Sequence, residues 1–432
     1  MPSDRLSDMT RNQEEVAGLP TRRAALRLLD AVLRKGLPLE AALDVAARDL
    51  DRADDRGFAH AIAAEALRRL TDLDALIDSA TKRALPDDAK ARFALRIALV
   101  QALALDTPPH AAIATVLPLV DGGPRKLVHG VFGTLMRGGA TLPSPPSLPP
   151  AVAARWERHW GAEVVGQAEI LLAAPPPLDL IFPPNAVPPA DLEGTTLLPD
   201  HLRLPGRTAV AGLTGYGEGR WWVQDVAASL PARLLGQGNG RTALDLCAAP
   251  GGKTMQLASA GFQVTAVDSS ESRLARLSEN MARTNLDAKL VAADLMTWSP
   301  PEKVDAILLD APCSATGIFR RHPDVLYRVR PKAIAELAAM QAKMLDRVAG
   351  WLKPGGLLVY SVCSLEPEEG EDVVEKFLHG RREYEAAQLT ADELPESVPV
   401  EGNRIRILPG LFGDAGGADG FFVARFRRRS AD

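Results

Sequence analysis

TALDLCAAPGGKT, residues 242–254, is a short apolar run that leads directly into a loop with two adjacent glycines. Four comparable runs follow it, each ending near an acidic residue or a cysteine: FQVTAVD (262–268), AKLVAAD (288–294), VDAILLDAP (304–312) and GGLLVYSVCS (355–364). Between them lie segments with helical periodicity, most clearly residues 334–352. Repeated strand–helix units of this size predict an α/β domain with a mostly parallel, doubly wound sheet.

Ligands of such sheets sit beyond the carboxyl ends of the strands. The acidic and cysteine residues of this chain fall at those ends. The sequence therefore predicts that its functional residues meet along one edge of the sheet.

The chain upstream of this domain has a different pattern of predicted secondary structure. Residues 21–137 read as helical throughout, with Thr21 as the expected cap of the first helix, which predicts an all-helical domain over residues 1–140. The segment TLPSPPSLPP (141–150) has the composition of a stiff linker. A small mixed α+β subdomain is predicted for residues 151–235, and the α/β domain for residues 236–432.

Composition places the chain among ordinary globular proteins and excludes several function classes. Of its 432 residues 46% are apolar and 24% are charged, and no apolar run approaches the roughly 18 residues of a membrane span. The polar first residues predict no signal peptide, so a cytoplasmic protein without a membrane partner is expected. The net charge of −5 means that a nucleic-acid partner would be held by local patches.

The cysteines do not have the spacing of a metal site. There are three, at positions 247, 313 and 363, with no CxxC pair and no histidine at ligand spacing. We therefore expect no metal, and each cysteine taken alone is more simply a small buried apolar side chain.

Three interpretations compete for the loop after the first strand. A dinucleotide site would show GxGxxG, which is absent. Gly252-Lys253-Thr254 imitates the end of a phosphate-binding P-loop, but the first glycine of that motif would fall at Cys247. The third interpretation is a methyltransferase loop that passes under the methionine part of S-adenosylmethionine.

Carboxylates at the next strand ends favour the third interpretation. Asp268 lies 23 residues after Asp245, which suits a carboxylate that bridges the ribose hydroxyls, and Asp294 is placed to accept from the adenine amino group. The predicted cofactor residues are Cys247, Ala248, Ala249, Pro250, Gly251, Gly252, Lys253, Asp268, Asp294 and Asp310.

Two thiols follow neighbouring strands. Cys313 follows Asp310-Ala311-Pro312, where an amino-methylating enzyme of this fold usually has Asn/Asp-Pro-Pro-aromatic, and Cys363 ends the fifth run. Carbon 5 of cytosine is too weak a nucleophile to take a methyl group directly, and a thiolate that adds to carbon 6 overcomes this by covalent catalysis. Chain position does not decide which thiol attacks.

Two further residues have predicted catalytic roles. Lys253, together with the positive charge of the cofactor, is expected to favour ionisation of the attacking thiol. Asp310 is expected to be protonated among other acidic groups and to donate to N3 of the base.

Basic and aromatic residues supply candidate RNA contacts. Arg320, Arg321 and His322 directly follow the first cysteine motif and are predicted to bind a phosphate beside a flipped-out base. Trp221-Trp222 can be interpreted as stacking residues or as core, and Arg425 with 427–429 as a basic tail, with core and solvated tail the simpler interpretations.

Taken together, LDLCAAPGGKT, DAPCSATGIFRRHPDV and YSVCSLEPEEGE resemble the signature motifs of RNA cytosine-5 methyltransferases of the Nop/Sun type, and within them the bacterial branch that acts on 16S rRNA. DRGFAHAIAAEALRRLTDLDALI and PPHAAIATVLPLV resemble the NusB-type helical domain fused to that branch. The resemblance implies a Rossmann-like methyltransferase domain, S-adenosylmethionine as cofactor, Cys363 as nucleophile, Cys313 in product release and 16S rRNA as partner. We also expect a monomer.

The sequence also departs from that pattern. Relatives usually have Pro-Pro-x-x-Leu-Arg-x-Asn where this chain has PPLDLIF at 176–182, so the expected arginine and asparagine are missing. The same chemistry on tRNA or another RNA therefore stays open, as does a more remote interpretation, a non-catalytic RNA-binding assembly factor.

Overall fold

The computed structural model describes residues 17–173, 175–206, 208–390 and 393–430. The chain divides into two compact units, residues 1–147 and 148–432. Among the described residues, no helix is both long enough and apolar enough to cross a membrane.

The described part of the first unit is helical. Its α-helices are α1 (Leu19–Leu33), α2 (Leu39–Ala46), α3 (Ala53–Arg68), α4 (Leu70–Ser79), α5 (Lys90–Ala104), α6 (Pro109–Val116) and α7 (Gly122–Arg137). Helix α5 is buried on nearly every side, as the unbroken burial of residues 91–101 shows, so it forms the centre of the bundle. The prediction that Thr21 caps α1 was wrong, because the helix already begins at Leu19 and the Thr21 hydroxyl donates to Asp55 instead.

The second unit opens with two helices and a small sheet. Helices α8 (Pro150–Trp160) and α9 (Ala162–Leu172) are separated by Gly161, whose φ of 85° ends the first of them. Strands β1 (Leu178–Ile181), β2 (His201–Leu204) and β3 (Trp222–Val223) form an antiparallel sheet in the order β2-β1-β3. Residues 151–235, predicted as a separate subdomain, lie within this unit.

The main sheet of the second unit has nine strands among the described residues. They are β4 (Thr242–Leu246), β5 (Gln263–Asp268), β6 (Lys289–Ala292), β7 (Val304–Asp310), β8 (Leu352–Val362), β9 (Tyr384–Ala386), β10 (Val400–Glu401), β11 (Arg404–Ile407) and β12 (Phe421–Arg428). The accompanying helices are α10 (Leu230–Arg233), α11 (Gly252–Ser259), α12 (Glu271–Thr284), α13 (Val325–Arg328), α14 (Pro331–Ala349) and α15 (Glu371–Gly380).

The strand order is β10-β11-β12-β8-β7-β4-β5-β6, with β9 paired to β12. Strands β4 to β8 pair in parallel, whereas β9 to β12 add antiparallel pairs at one side. The chain runs outward from β4 through β5 to β6 and then returns to β7 beside β4. The carboxyl ends of β4 and β7 therefore flank a topological switch point, where ligands of such sheets bind. The predicted doubly wound α/β fold is confirmed.

Burial decides between the interpretations left open for two groups of side chains. Trp221 and Trp222 are both fully buried, so they are core residues and not stacking platforms. Arg425 does not belong to a basic tail, because it lies in β12 and its guanidinium is buried against the Glu393 carboxylate and the Leu234 carbonyl.

Candidate active site

The loop after β4 approaches the neighbouring helix too closely for a side chain. Gly251 has a φ of 107°, and a Cβ at this position would lie 2.8 Å from Leu277 of α12. A Cβ on Gly252 would lie 3.0 Å from the side chain of Gln224. The two glycines therefore let α11 begin directly behind the loop, with its amino end at the β4–β7 crevice.

We expect Gly251→Ala to cost about 1–3 kcal/mol of folding free energy, because alanine is strained at this φ and collides with Leu277. The shifted loop should also bind S-adenosylmethionine more weakly, as calorimetric titration would show. Gly261→Ala is the matched control: its φ is 85°, but its Cβ would meet only an ordinary contact at 3.5 Å. Equal cofactor affinity in the two variants would contradict this role of the loop.

A cavity of about 300 Å³ lies over this loop. It is lined by Val223, Gln224, Asp225, Ala228, Asp245, Cys247, Ala248, Ala249, Pro250, Gly252, Lys253, Asp310, Ile318, Arg321, Cys363 and Phe421. Burial raises the pKa of Asp245 to about 7, although Thr254 donates to its Oδ2 atom. Its Oδ1 atom is buried without a hydrogen-bond partner, so the cavity wall holds an acceptor available to a ligand.

Two predicted cofactor carboxylates lie outside this lining. Asp268 ends β5, where it accepts from the backbone N–H groups of Ala249 (3.1 Å) and Ser270 (2.9 Å) and from the Arg273 guanidinium. It thus ties the loop to the next strand, and its ribose contact stays a prediction. Asp294 is exposed beyond β6 and accepts from the N–H of Met296 at 2.8 Å, so its adenine contact also stays a prediction.

The structure brings the two predicted thiols together. The sulfur atoms of Cys313, after β7, and Cys363, after β8, are 3.4 Å apart and share a hydrogen bond. This bond, followed by burial and the charges of Cys363 and Glu369, raises the pKa of Cys313 well above its usual value. The third thiol is different, because burial and neighbouring carboxylates raise the pKa of Cys247 to about 12 and leave it inert.

Lys253 and Asp310 form an ion pair beside Cys363. The Lys253 ammonium donates to Asp310 Oδ2 at 2.7 Å, and the Ser361 hydroxyl donates to Oδ1 at 2.8 Å. Burial would lower the pKa of Lys253, but the charge and hydrogen bond of Asp310 outweigh it, so the pKa is raised and the ammonium keeps its proton. In these contacts Asp310 is an acceptor, whereas the predicted contact to N3 requires a donor.

The three predicted RNA-binding residues, Arg320, Arg321 and His322, differ in their surroundings. Arg320 is buried, and its guanidinium donates to Asp225, Asp419 and the Gly416 carbonyl. The prediction that Arg320 binds RNA was therefore wrong, since its donors stabilise the fold. Arg321 also contacts Asp419, but its side chain is 38% exposed and lines the cavity, so it stays a candidate. His322 is partly buried, and its role stays a prediction.

Sequence reasoning missed one carboxylate behind the thiols. Glu369 is fully buried and accepts hydrogen bonds from the loops of both cysteines. The run LEPEEGE after Cys363 contained the signal, but four carboxylates in seven residues gave no means of choosing among them.

The residues around the crevice fit S-adenosylmethionine. The glycine loop leaves room for close backbone approach, the unpartnered Asp245 oxygen offers an acceptor, and the cavity size is near the lower end of that of small-molecule sites. Fold and site together define an S-adenosylmethionine-dependent methyltransferase.

Comparison with known proteins agrees with this class. Residues 232–427 match the family model described as 16S rRNA methyltransferase RsmB/F, and residues 19–133 match that of the NusB family. Ribosomal RNA small subunit methyltransferase B of Klebsiella pneumoniae is 33% identical over 94% of this chain and 98% of its own. The protein of the same name from Xanthomonas campestris pv. campestris is 34% identical over 87% of this chain and 91% of its own.

A solved structure agrees in fold. The methyltransferase homolog protein from Pyrococcus horikoshii superimposes with a TM-score of 0.54 at 24% identity, over 68% of this chain and 98% of that one. The chain belongs to the RsmB/F family of 16S rRNA methyltransferases and carries a NusB-family helical domain.

Proposed function

We propose that the protein methylates carbon 5 of one cytidine in 16S rRNA, through a covalent bond between Cys363 and carbon 6 of the base. The observation that carries this proposal is the pair of sulfur atoms 3.4 Å apart, one of which lines the cofactor cavity. Methylation of an exocyclic nitrogen would need no thiol at this position. The relatives named for the small ribosomal subunit support 16S rRNA as the substrate.

Cys363 is the attacking group because it lines the cavity together with Lys253. Its thiolate forms a bond to carbon 6, and the electron pair of the C5–C6 double bond moves onto carbon 5 and the ring. Bound S-adenosylmethionine supplies an electrophilic methyl group. When carbon 5 carries that group, its proton is removed, the double bond reforms, and the bond between sulfur and carbon 6 breaks.

Asp310 and Lys253 hold a proton where charge develops on the ring. The Lys253 ammonium keeps its proton 2.7 Å from Asp310 Oδ2, so the pair contains an acidic proton beside the carboxylate. We propose that this proton is shared toward N3 when the base enters. Asp310 then need not carry a proton before the base binds. This proposal replaces the expectation from the sequence that Asp310 itself is protonated.

Cys313 removes the proton from carbon 5. In the free enzyme its raised pKa keeps it a thiol, mainly because of its hydrogen bond to Cys363, its burial and the charge of Cys363. When Cys363 becomes a neutral thioether on carbon 6, its charge and its hydrogen bond with Cys313 are lost, and both are among the causes that raise the pKa of Cys313, so this pKa falls. Cys313 can then lose its proton to solvent water and, as a thiolate, take up the proton from carbon 5.

The substrate is tested with labelled S-adenosylmethionine and three RNAs: 16S rRNA free of modification, the same RNA assembled into small subunits, and total tRNA. We expect label on carbon 5 of a single cytidine in 16S rRNA, located by nuclease digestion and mass spectrometry. Transfer to tRNA alone would redirect the proposal to a tRNA substrate. Cofactor binding without transfer to any of the RNAs would favour a non-catalytic assembly factor.

A further inference from the structure

The buried Glu369 carboxylate connects the two cysteine loops. Its Oε1 atom accepts from the Ser314 N–H at 2.8 Å, and its Oε2 atom accepts from the hydroxyls of Ser314 and Ser364, the latter at 2.5 Å. Ser314 directly follows Cys313, and Ser364 directly follows Cys363. One carboxylate therefore holds the residue next to each thiol.

Other contacts fix this carboxylate in turn. Gln341 of α14 donates from Nε2 to Glu369 Oε1 at 3.0 Å and to the Pro312 carbonyl at 2.9 Å. The Tyr360 hydroxyl of β8 donates to the backbone carbonyl of Glu369 at 2.6 Å. Both donors are buried, so Glu369 is held at its carboxylate by Gln341 and at its backbone by Tyr360, two side chains that are themselves packed in the core.

We propose that Glu369 is a positioning residue, which holds the two cysteine loops at the separation that the release step requires. It touches neither the cavity nor the reacting atoms, so it acts through the two serines. A fully buried carboxylate is costly unless its oxygens are paired, and here hydrogen bonds from three residues meet that requirement. The proposal rests on the proposed division of roles between Cys363 and Cys313.

The charge of Glu369 fits this role. It is among the causes that raise the pKa of Cys313, after the hydrogen bond to Cys363, burial and the charge of Cys363. A fixed negative charge behind Cys313 adds to the causes that keep this thiol protonated while Cys363 attacks. Glu369 would thus help to distinguish two thiols that lie side by side.

The first test measures the separation of the thiols without RNA. Phenylarsine oxide bridges two nearby thiols with loss of one water, and intact-mass titration counts the bridged protein. We expect the wild-type protein to be bridged, and Glu369→Gln to need about tenfold or more reagent because the two sulfurs lose their high effective concentration. The variant Cys313→Ser lacks the pair but keeps Cys247 and Cys363. It therefore measures how much reagent the protein binds through single thiols.

The second test measures turnover. For Glu369→Gln we expect kcat to fall about 10- to 100-fold with KM for RNA unchanged, since a misplacement near 1 Å can cost this much. The matched control is Glu375→Gln on α15, whose side chain is 60% exposed and pairs only loosely with Arg404, at 3.6 Å. It should behave as the wild-type protein in both tests.

The proposal would be overturned if Glu369→Gln were bridged at the same reagent concentration as the wild-type protein. Normal turnover by this variant would overturn it as well. If that variant does not fold, Ser314→Ala and Ser364→Ala each remove one hydroxyl bond to the carboxylate, and both should weaken bridging. Normal bridging in both would again overturn the proposal. A wild-type protein that makes no 5-methylcytosine would instead refute the proposed function and leave the bridging result intact.

Discussion

Replacement of Cys363 by serine is expected to reduce methyl transfer by on the order of 10⁴-fold or more, the scale of losing a covalent nucleophile. A serine hydroxyl is far less acidic than a thiol, and neither neighbour can take up its proton, because Lys253 keeps its own proton and Cys313 is itself a thiol of raised pKa. Carbon 6 is then not attacked, and carbon 5 stays unreactive. Transfer of labelled methyl groups into 16S rRNA under single-turnover conditions measures the loss.

The cause of that loss can be separated from misfolding. Serine is nearly isosteric with cysteine, so Cys363→Ser should keep its thermal stability and its affinity for S-adenosylmethionine. It should also fail to form a covalent complex with RNA that contains 5-fluorocytidine, in which fluorine replaces the departing proton. A variant that methylates at the wild-type rate would assign the attack to another residue.

Much of the fold was predictable because its signals are local. The five strands β4 to β8 are the five apolar runs seen in the sequence, and the loop with two adjacent glycines follows the first of them as the sequence predicts. The antiparallel strands β9 to β11 were not foreseen. They are two to four residues long. Strand β11 pairs with β12, and β10 pairs with β11, so both depend on contacts that the local sequence pattern does not encode.

The sequence predicts the positions of those site residues that directly follow a strand. The two cysteines follow β7 and β8, which are neighbours in the sheet, so their side chains meet. Arginine roles were less predictable, because a guanidinium beside a phosphate and one buried between Asp225 and Asp419 look the same in sequence. Two long-range contacts show that Arg320 stabilises the fold: Asp225 lies 95 residues before it and Asp419 lies 99 residues after it.

Replacement of Cys313 by alanine is expected to trap a covalent complex between the protein and its RNA. Attack by Cys363 does not need the second thiol, so the bond to carbon 6 forms and the methyl group is transferred. The proton on carbon 5 then loses its proposed base, because the sulfur that lies 3.4 Å from Cys363 is gone. Denaturing gel electrophoresis should show a slowly migrating protein–RNA band, with turnover reduced at least about 100-fold.

The double variant Cys313→Ala/Cys363→Ala provides the control, since it lacks the attacking sulfur and should show no such band. Nuclease digestion of the trapped complex should leave a methylated cytidine on the peptide that contains Cys363, which places the block after methyl transfer. An unmethylated adduct would instead assign Cys313 a role before that step. Turnover by Cys313→Ala at the wild-type rate would mean that water removes the proton from carbon 5. The 3.4 Å contact between the two sulfur atoms would then serve only to hold Cys363 in place.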